Sequence, residues 1–429
     1  IAIILTLLTM LMALVFTTRP ENAVYAYPIV ILEYWETGFW ELLEFTMQMA
    51  LILILGHTLA LTPLFNLLIT RLTSLCNTTA KAGLYISLLT ILMSFLNWGL
   101  ALVFGAIFAR KVAEKAQQHG WKLNYPLIGA AGYSGMMCWH SGFSGSAPLT
   151  VSGADHFMVQ DIGVISIEQT ILSGMNLTTS LLLLIIIPLF FYALGKRSSS
   201  KEINLQFHEK EPSSTHKIYG AERIDHAKWL AIGMGLTICF LAIRKASITQ
   251  SGGSLGFIDL NYINFLLFGL GVLLHGSFAK FITAVQQAVL GATGIIIQFP
   301  LYAGIMGIMK YSGLGALISQ GFVEISTATT LHIYTLISAG LVNVFVPSGG
   351  GQWVVQGPII TEAAQTLGVS IPKTVMALSY GDQLTNMLQP FWALPLLGIT
   401  KLKAKDILPY SALVMLVGLL IFISVLLIF

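Results

Sequence analysis

Four short segments of this 429-residue chain are polar islands in apolar surroundings: Ser94–Gly99, His140–Ser146, Asn343–Trp353 and Asp382–Asn386. Each is rich in Gly, Ser, Asn or Gln. Inside lipid, backbone polar groups must be satisfied internally, so broken helices persist only where protein or a water-filled cavity covers them. Amide groups at the N-terminus of a half-helix attract an anion, and freed carbonyls can coordinate Na⁺. None of the four segments holds Lys or Arg, which argues against a polyanionic ligand. A single carboxylate could be held by helix-terminal amides with hydroxyls from Ser144, Ser146 and Ser348. The candidate set is Asn97, Trp98, Gly99, His140, Ser144, Gly145, Ser146, Asn343, Ser348, Gly349, Gly350 and Gly351. Flanking Phe143, Trp353, Phe391 and Trp392 suit a short alkyl tail, as does Trp98.

Asp382 is the one acid expected at membrane depth, where a carboxylate is costly and marks a functional site by default. With Thr385 and Asn386 it is the candidate for a coupling ion, Na⁺ or H⁺; the competing role is a structural acid paired with hydroxyls or His. His140 could bind the carboxylate, carry a proton or simply pack. His57 reads as structural, and Gln48, Gln286 and Gln298 as polar glue between helices. Gly349–Gly351 is not a phosphate loop, because no Lys-Ser/Thr follows and no strand precedes. No cofactor is expected. HExxH, DDxxD and ATP-binding motifs are absent from the sequence, so an enzyme or a primary pump is disfavoured. Cys76, Cys138 and Cys239 are too far apart for a metal or redox motif.

These segments need helices to carry them. Hydrophobic residues are 55% of the chain and charged residues 10%, against about 25% charged in a soluble domain; mean hydropathy is +0.80. The expected fold is an all-α polytopic membrane protein lying in the lipid bilayer, with no nucleic-acid partner. Runs approaching the ~20 residues of a spanning helix fall near 1–18, 43–69, 125–151, 169–194, 228–246, 261–275, 281–309, 373–398 and 408–429. The first run reads as a membrane helix whose N-terminal lead lies outside the sequence. Two stretches, 84–109 and 331–363, break midway and read as re-entrant hairpins. With the N-terminus and the 195–228 loop cytoplasmic, 17 basic residues fall inside and 5 outside, as the positive-inside rule asks. Letting 84–109 cross would move Arg110, Lys111, Lys115 and Lys122 outside. Glu21, Glu33, Glu36, Glu41 and Glu44 all lie in the first outer segment on this reading.

The order helix, helix, hairpin, broken helix, helix occurs twice. Residues 1–194 form one repeat, with hairpin 84–109 and broken helix 125–151. Residues 195–260 supply a cytoplasmic linker and one extra crossing. Residues 261–429 form the second repeat, with hairpin 331–363 and broken helix 373–398. The extra crossing inverts the second repeat, as in many secondary transporters.

VNVFVPSGGGQWVVQGP at 342–358, LNWG at 96–99, GAIFAR at 105–110, GFSGSAPL at 142–149 and QPFWALPLLGI at 389–399 resemble the AtoE-type short-chain fatty acid transporters over nearly the whole chain. The resemblance implies uptake or exchange of acetoacetate, butyrate and related acids across a bacterial inner membrane. It also implies the architecture of the wider ion transporter superfamily, a homodimer with an elevator motion. It assigns no individual ligand residues.

Overall fold

The computed structural model describes residues 2–21, 25–41, 43–153, 156, 158–200, 220–248, 260–345 and 349–429. Their regular structure is helical. The first half runs α1 (Ala2–Phe16), α2 (Tyr27–Glu41), α3 (Leu43–Ala60), α4 (Pro63–Thr73), α5 (Thr79–Leu96), α6 (Trp98–His119), α7 (Tyr125–Tyr133), two 3₁₀ turns (Ser134–Met137 and Trp139–Ser141), α8 (Ser146–Thr150), α9 (Val159–Ile162) and α10 (Gly174–Arg197). The short α11 (Glu222–Asp225) and α12 (Lys228–Ile248) connect to the second half. That half holds α13 (Leu260–His275), α14 (Phe278–Tyr311), α15 (Leu314–Glu324), α16 (Leu331–Asn343), α17 (Gly349–Thr366), α18 (Ile371–Asn386), α19 (Pro390–Thr400) and α20 (Ala404–Ile428).

Among the described residues, α5, α10 and α20 are each long and apolar enough to cross a bilayer, and α2 with α3, bent by 45°, makes a fourth such span. Shorter apolar helices accompany them at 3–16, 261–275, 278–290 and 331–345.

The expected run 43–69 is two helices. Pro63 stands at the start of α4, directly after its N-cap Thr62; proline has no N–H to continue α3 and favours a helix start. The missing length comes from α2, which was expected to be outer loop. Its acids concealed it. Glu33 and Glu36 lie on an exposed face while Val30, Ile31 and Gly38 are buried. A Cβ on Gly38 would lie 2.5 Å from the Cα of Gly307 on α14, so α2 and α14 touch backbone to backbone. Lys310 on α14 donates to Glu41 at the end of α2. The short α15 was also not expected.

The first hairpin is α5–α6, longer at both ends than 84–109, and the second is α16–α17. Their ends fix the layout. At one end of the molecule the Asn124 N–H donates to Thr79 Oγ1 (2.9 Å), Thr79 meets Ser200 (3.1 Å), and the Tyr125 hydroxyl donates to the Thr400 carbonyl (2.8 Å). Lys81, Lys122, Lys196, Arg197, Lys401 and Lys403 cluster along these segments. At the other end Gln365 donates to the Asp161 carbonyl, and Met158, Ile165, Ile360 and Val375 share a core. In each pair the start of the first helix lies beside the end of the second: Thr79 beside Asn124, and Leu331 in one core with Ala363 and Ala364.

Candidate functional site

The first tip is a single residue wide. Asn97 ends α5 in an extended conformation and caps α6, its Oδ1 accepting the Leu100 N–H (2.9 Å). The Trp98 N–H donates to Ser144 Oγ (3.1 Å), and the Phe143 N–H to the Phe95 carbonyl (2.8 Å). The tip is thus bound to the break between α7 and α8. That break binds α18 in turn: the His140 N–H donates to Gln383 Oε1 (3.0 Å) and His140 Nε2 meets Asp382 Oδ1 (3.0 Å). Both His140 and Asp382 are 0% exposed.

The ring's protonation follows from its partners. The Ser146 N–H donates to Nδ1 (3.2 Å), so that nitrogen presents a lone pair. The proton then sits on Nε2 and is donated to Asp382, giving a neutral imidazole beside the carboxyl group. Asn386 Nδ2 is the second donor to Asp382 Oδ1 (3.2 Å). Asp382 Oδ2 is buried and has no hydrogen-bond partner among the described residues; neither do Ser146 Oγ, Asn343 Oδ1 or Asn97 Nδ2. Buried polar atoms are rarely left so, and those of Asp382, Ser146 and Asn343 lie on residues bonded to one another or to His140.

The second tip closes the ring of contacts. Asn343 Nδ2 lies 2.8 Å from the Asp382 carbonyl, 2.9 Å from Thr385 Oγ1 and 2.8 Å from Asn386 Oδ1. Gly349 opens α17 directly against the pair, where a Cβ would lie 2.5 Å from His140 Cε1 and 3.0 Å from Ser146 Oγ. The positive end of an 18-residue helix therefore abuts His140. Trp139 lies over the His140 ring (3.7 Å between centroids), and Trp98 and Trp392 pack at 5.2 Å from each other, forming an apolar wall.

All four polar segments meet, as their composition suggested. Asn97, Trp98, His140, Ser144, Ser146, Asn343, Gly349, Asp382, Thr385 and Asn386 form one connected network. Gly145 packs on the His140 carbonyl and Gly350 and Gly351 continue the first turn of α17. Gly99 faces Ile52 on α3, on the side away from the pair. Ser348 lies outside the described residues. Gln48 donates to Asn261 (3.1 Å) and accepts at its carbonyl from Asn264 (3.0 Å), joining α3 to α13 as polar glue.

Sequence reasoning did not single out Gln383, Gln389 or Trp139. Gln389 donates to the Asn343 carbonyl (2.6 Å) and so braces the second tip. Two tyrosines of the broken helices make long-range bonds as well: the Tyr133 hydroxyl donates to the Asn386 carbonyl (2.7 Å) and the Tyr380 hydroxyl to Asn176 Oδ1 (3.0 Å). A polar residue beside each break was the available signal. Among the described residues no group of three or more His, Cys, Asp or Glu could hold a metal ion. A cavity of about 530 Å³ between α15 and α17, bordered by Glu324 and Glu362, does not include the pair; the chemistry of the buried network, not cavity size, identifies the site.

A family model described as short chain fatty acid transporter matches residues 1–429. A candidate short-chain fatty acid transporter of Escherichia coli (strain K12) is 35% identical over 419 residues, covering 95% of this chain and 90% of that protein. Its counterpart in Haemophilus influenzae is 34% identical over 396 residues, covering 89% and 86%. The crystal structure of the Alcanivorax borkumensis YdaH transporter, reported as an unusual topology, is similar in fold at a TM-score of 0.53 and 15% identity, over 100% of this chain and 96% of that one. With a match over its whole length and relatives at this identity, the chain belongs to the short-chain fatty acid transporter family.

Proposed function

We propose that this chain carries short-chain monocarboxylates such as acetoacetate and butyrate across the bacterial inner membrane, coupled to an ion, by an elevator-type alternating-access mechanism. The observation that carries the reading is the meeting of two hairpin tips and two broken helices around a fully buried His140–Asp382 pair. The substrate carboxylate binds at the first turn of α17, against Ser146 Oγ, and its alkyl chain lies on the wall of Trp98, Trp139 and Trp392. No Lys or Arg lies in the four polar segments, so one negative charge is the most that helix-end amides and hydroxyls accommodate.

A site with no exposure to either end exchanges substrate only if the surrounding helices move. The site's bonds join α5–α10 to α16–α20, whereas α2, α3, α13 and α14 pack mainly on one another and meet the first group through α3 on α6 and α14 on α17 and α19. The first group is the moving body and the second the scaffold, through which two copies pair as a homodimer. The two hairpins are re-entrant, the repeats 1–194 and 261–429 are inverted, and the basic end, with the N-terminus and the 195–228 loop, faces the cytoplasm.

The test is counterflow in proteoliposomes: vesicles preloaded with unlabelled acetoacetate should take up labelled acetoacetate or butyrate saturably, above protein-free vesicles. Equal uptake with and without protein would exclude this function.

A further inference from the structure

We propose that the coupling ion is a proton, carried on Asp382 Oδ2, with His140 as a neutral positioning partner. The inference rests on the reading of this site as the monocarboxylate site.

The hydrogen bonds separate the two candidate ions. His140 has both ring nitrogens engaged, Nδ1 accepting from the Ser146 N–H and Nε2 donating to Asp382 Oδ1. The ring cannot take a second proton without breaking the Ser146 bond. Asp382 Oδ1 already accepts from His140 and Asn386. Oδ2 alone is without a partner, at zero exposure. A hard cation gathers about six oxygens, but among the described residues around the pair only Asp382 Oδ2, Ser146 Oγ and Asn343 Oδ1 are side-chain oxygens left without a partner, while Gln383 Oε1 already takes the His140 N–H and Asn386 Oδ1 takes Asn343 Nδ2. A proton needs only one oxygen.

Among the described residues no ion-pair partner of opposite charge lies on the pair. The elements packed against it carry His332 and Tyr334 on α16, Glu362 on α17, Lys373 and Tyr380 on α18, Lys81 and Tyr85 on α5, Lys405, Asp406 and Tyr410 on α20, and Tyr192, Lys196 and Arg197 on α10. The Tyr380 hydroxyl is spent on Asn176 and Thr179. Those on α5, α16, α17 and α18 sit about nine or more residues along their helices from Asn97, Asn343, Gly349 and Asp382, roughly 13 Å or more. α8 and the two 3₁₀ turns add no charged group beyond His140 itself.

The linkage with substrate follows. A substrate carboxylate beside an ionised Asp382 would place two negative charges in one dry site, which is strongly disfavoured. A proton on Oδ2 removes one charge and turns that oxygen into an O–H donor for the incoming carboxylate. Proton and anion therefore enter together, leave together and move no net charge. Affinity falls as pH rises, because the proton-bearing form is the one that binds.

Titration calorimetry of the full chain in detergent tests this, with butyrate as the probe, at a pH where binding weakens, in two buffers of different ionisation enthalpy. We expect uptake of about one proton per butyrate bound, no dependence on Na⁺, and the same proton count in His140→Gln, whose amide N–H replaces Nε2–H. In Asp382→Asn the count falls to zero and affinity no longer follows pH. Butyrate binding without proton uptake in the unaltered chain, or affinity that follows Na⁺ at constant pH, overturns the proton assignment and leaves the transport reading standing. A count lost in His140→Gln but kept in Asp382→Asn overturns the choice of carrier. Absence of butyrate binding in the unaltered chain defeats both readings.

Discussion

The two hairpin tips hold matching places in the chain and are built to opposite plans. The α5–α6 tip turns on one residue, Asn97: its side-chain oxygen caps α6, and Ser144 accepts the next amide. The α16–α17 tip spreads over several residues and ends in three glycines. Its asparagine does not cap its own helix but reaches across to three acceptors on α18. The first tip is bound to the break between α7 and α8, whereas the second brings the N-terminus of α17 to the His140–Asp382 pair. Chain symmetry alone suggests two equal half-sites; on the function proposed above, the first tip is a brace and the second holds the substrate.

The sharpest way to break that comparison is a pair of glycine substitutions. Gly349→Val should lower uptake efficiency by about 100-fold or more, because its side chain would occupy the space against His140 and Ser146. Gly99→Ala, in the first turn of α6, should press mainly on Ile52. It should cost about 1–3 kcal/mol of stability while leaving the KM for uptake unchanged. If KM changes equally in both, the tips are equivalent after all.

The two asparagines give the next largest contrast. Asn343→Ala leaves Asn386 Oδ1 without its donor and should cost about 1–3 kcal/mol, with uptake lost in proportion to the disordered α18. Asn97→Ala removes an N-cap and should cost about 1 kcal/mol, which Asn97→Ser should largely restore because serine also caps. Thermal unfolding in detergent measures both, and failure of serine to restore stability would mean that the Asn97 cap is not what holds the first tip. The smallest effect is expected at Tyr380→Phe, about 1 kcal/mol for bonds to Asn176 and Thr179, with uptake little changed. That tyrosine joins the halves on the side away from the ligand.

Much of this was legible in the sequence, for a physical reason. Lipid tolerates few polar residues, so Asn97, His140, Asn343 and Asp382 stand out against their apolar neighbours, and the structure joins them. What the sequence hid was helix in places where polarity is cheap. Glu33 and Glu36 disguised α2 because they sit on its exposed face, and the buried stripe of Val30, Ile31 and Gly38 is too sparse to announce itself. The run through Thr62-Pro63 looked continuous because hydropathy does not register a missing N–H. Pairing was likewise out of reach. Spacing cannot say that His140 belongs to Asp382, 242 residues away, nor which ring nitrogen faces it.

That separation has a consequence for how the protein is made. The contacts that join the two halves at the site span most of the chain: 242 residues for His140 to Asp382 and 253 for Tyr133 to Asn386. At a synthesis rate of about 5–20 residues per second, the first broken helix waits roughly 10–50 s for its partner. During that interval its 3₁₀ turns and buried serines have no second half to cover them. The nascent first repeat is therefore the part of the molecule that most needs shelter from the insertion machinery, and truncation after α10 should leave it a substrate for membrane proteolysis.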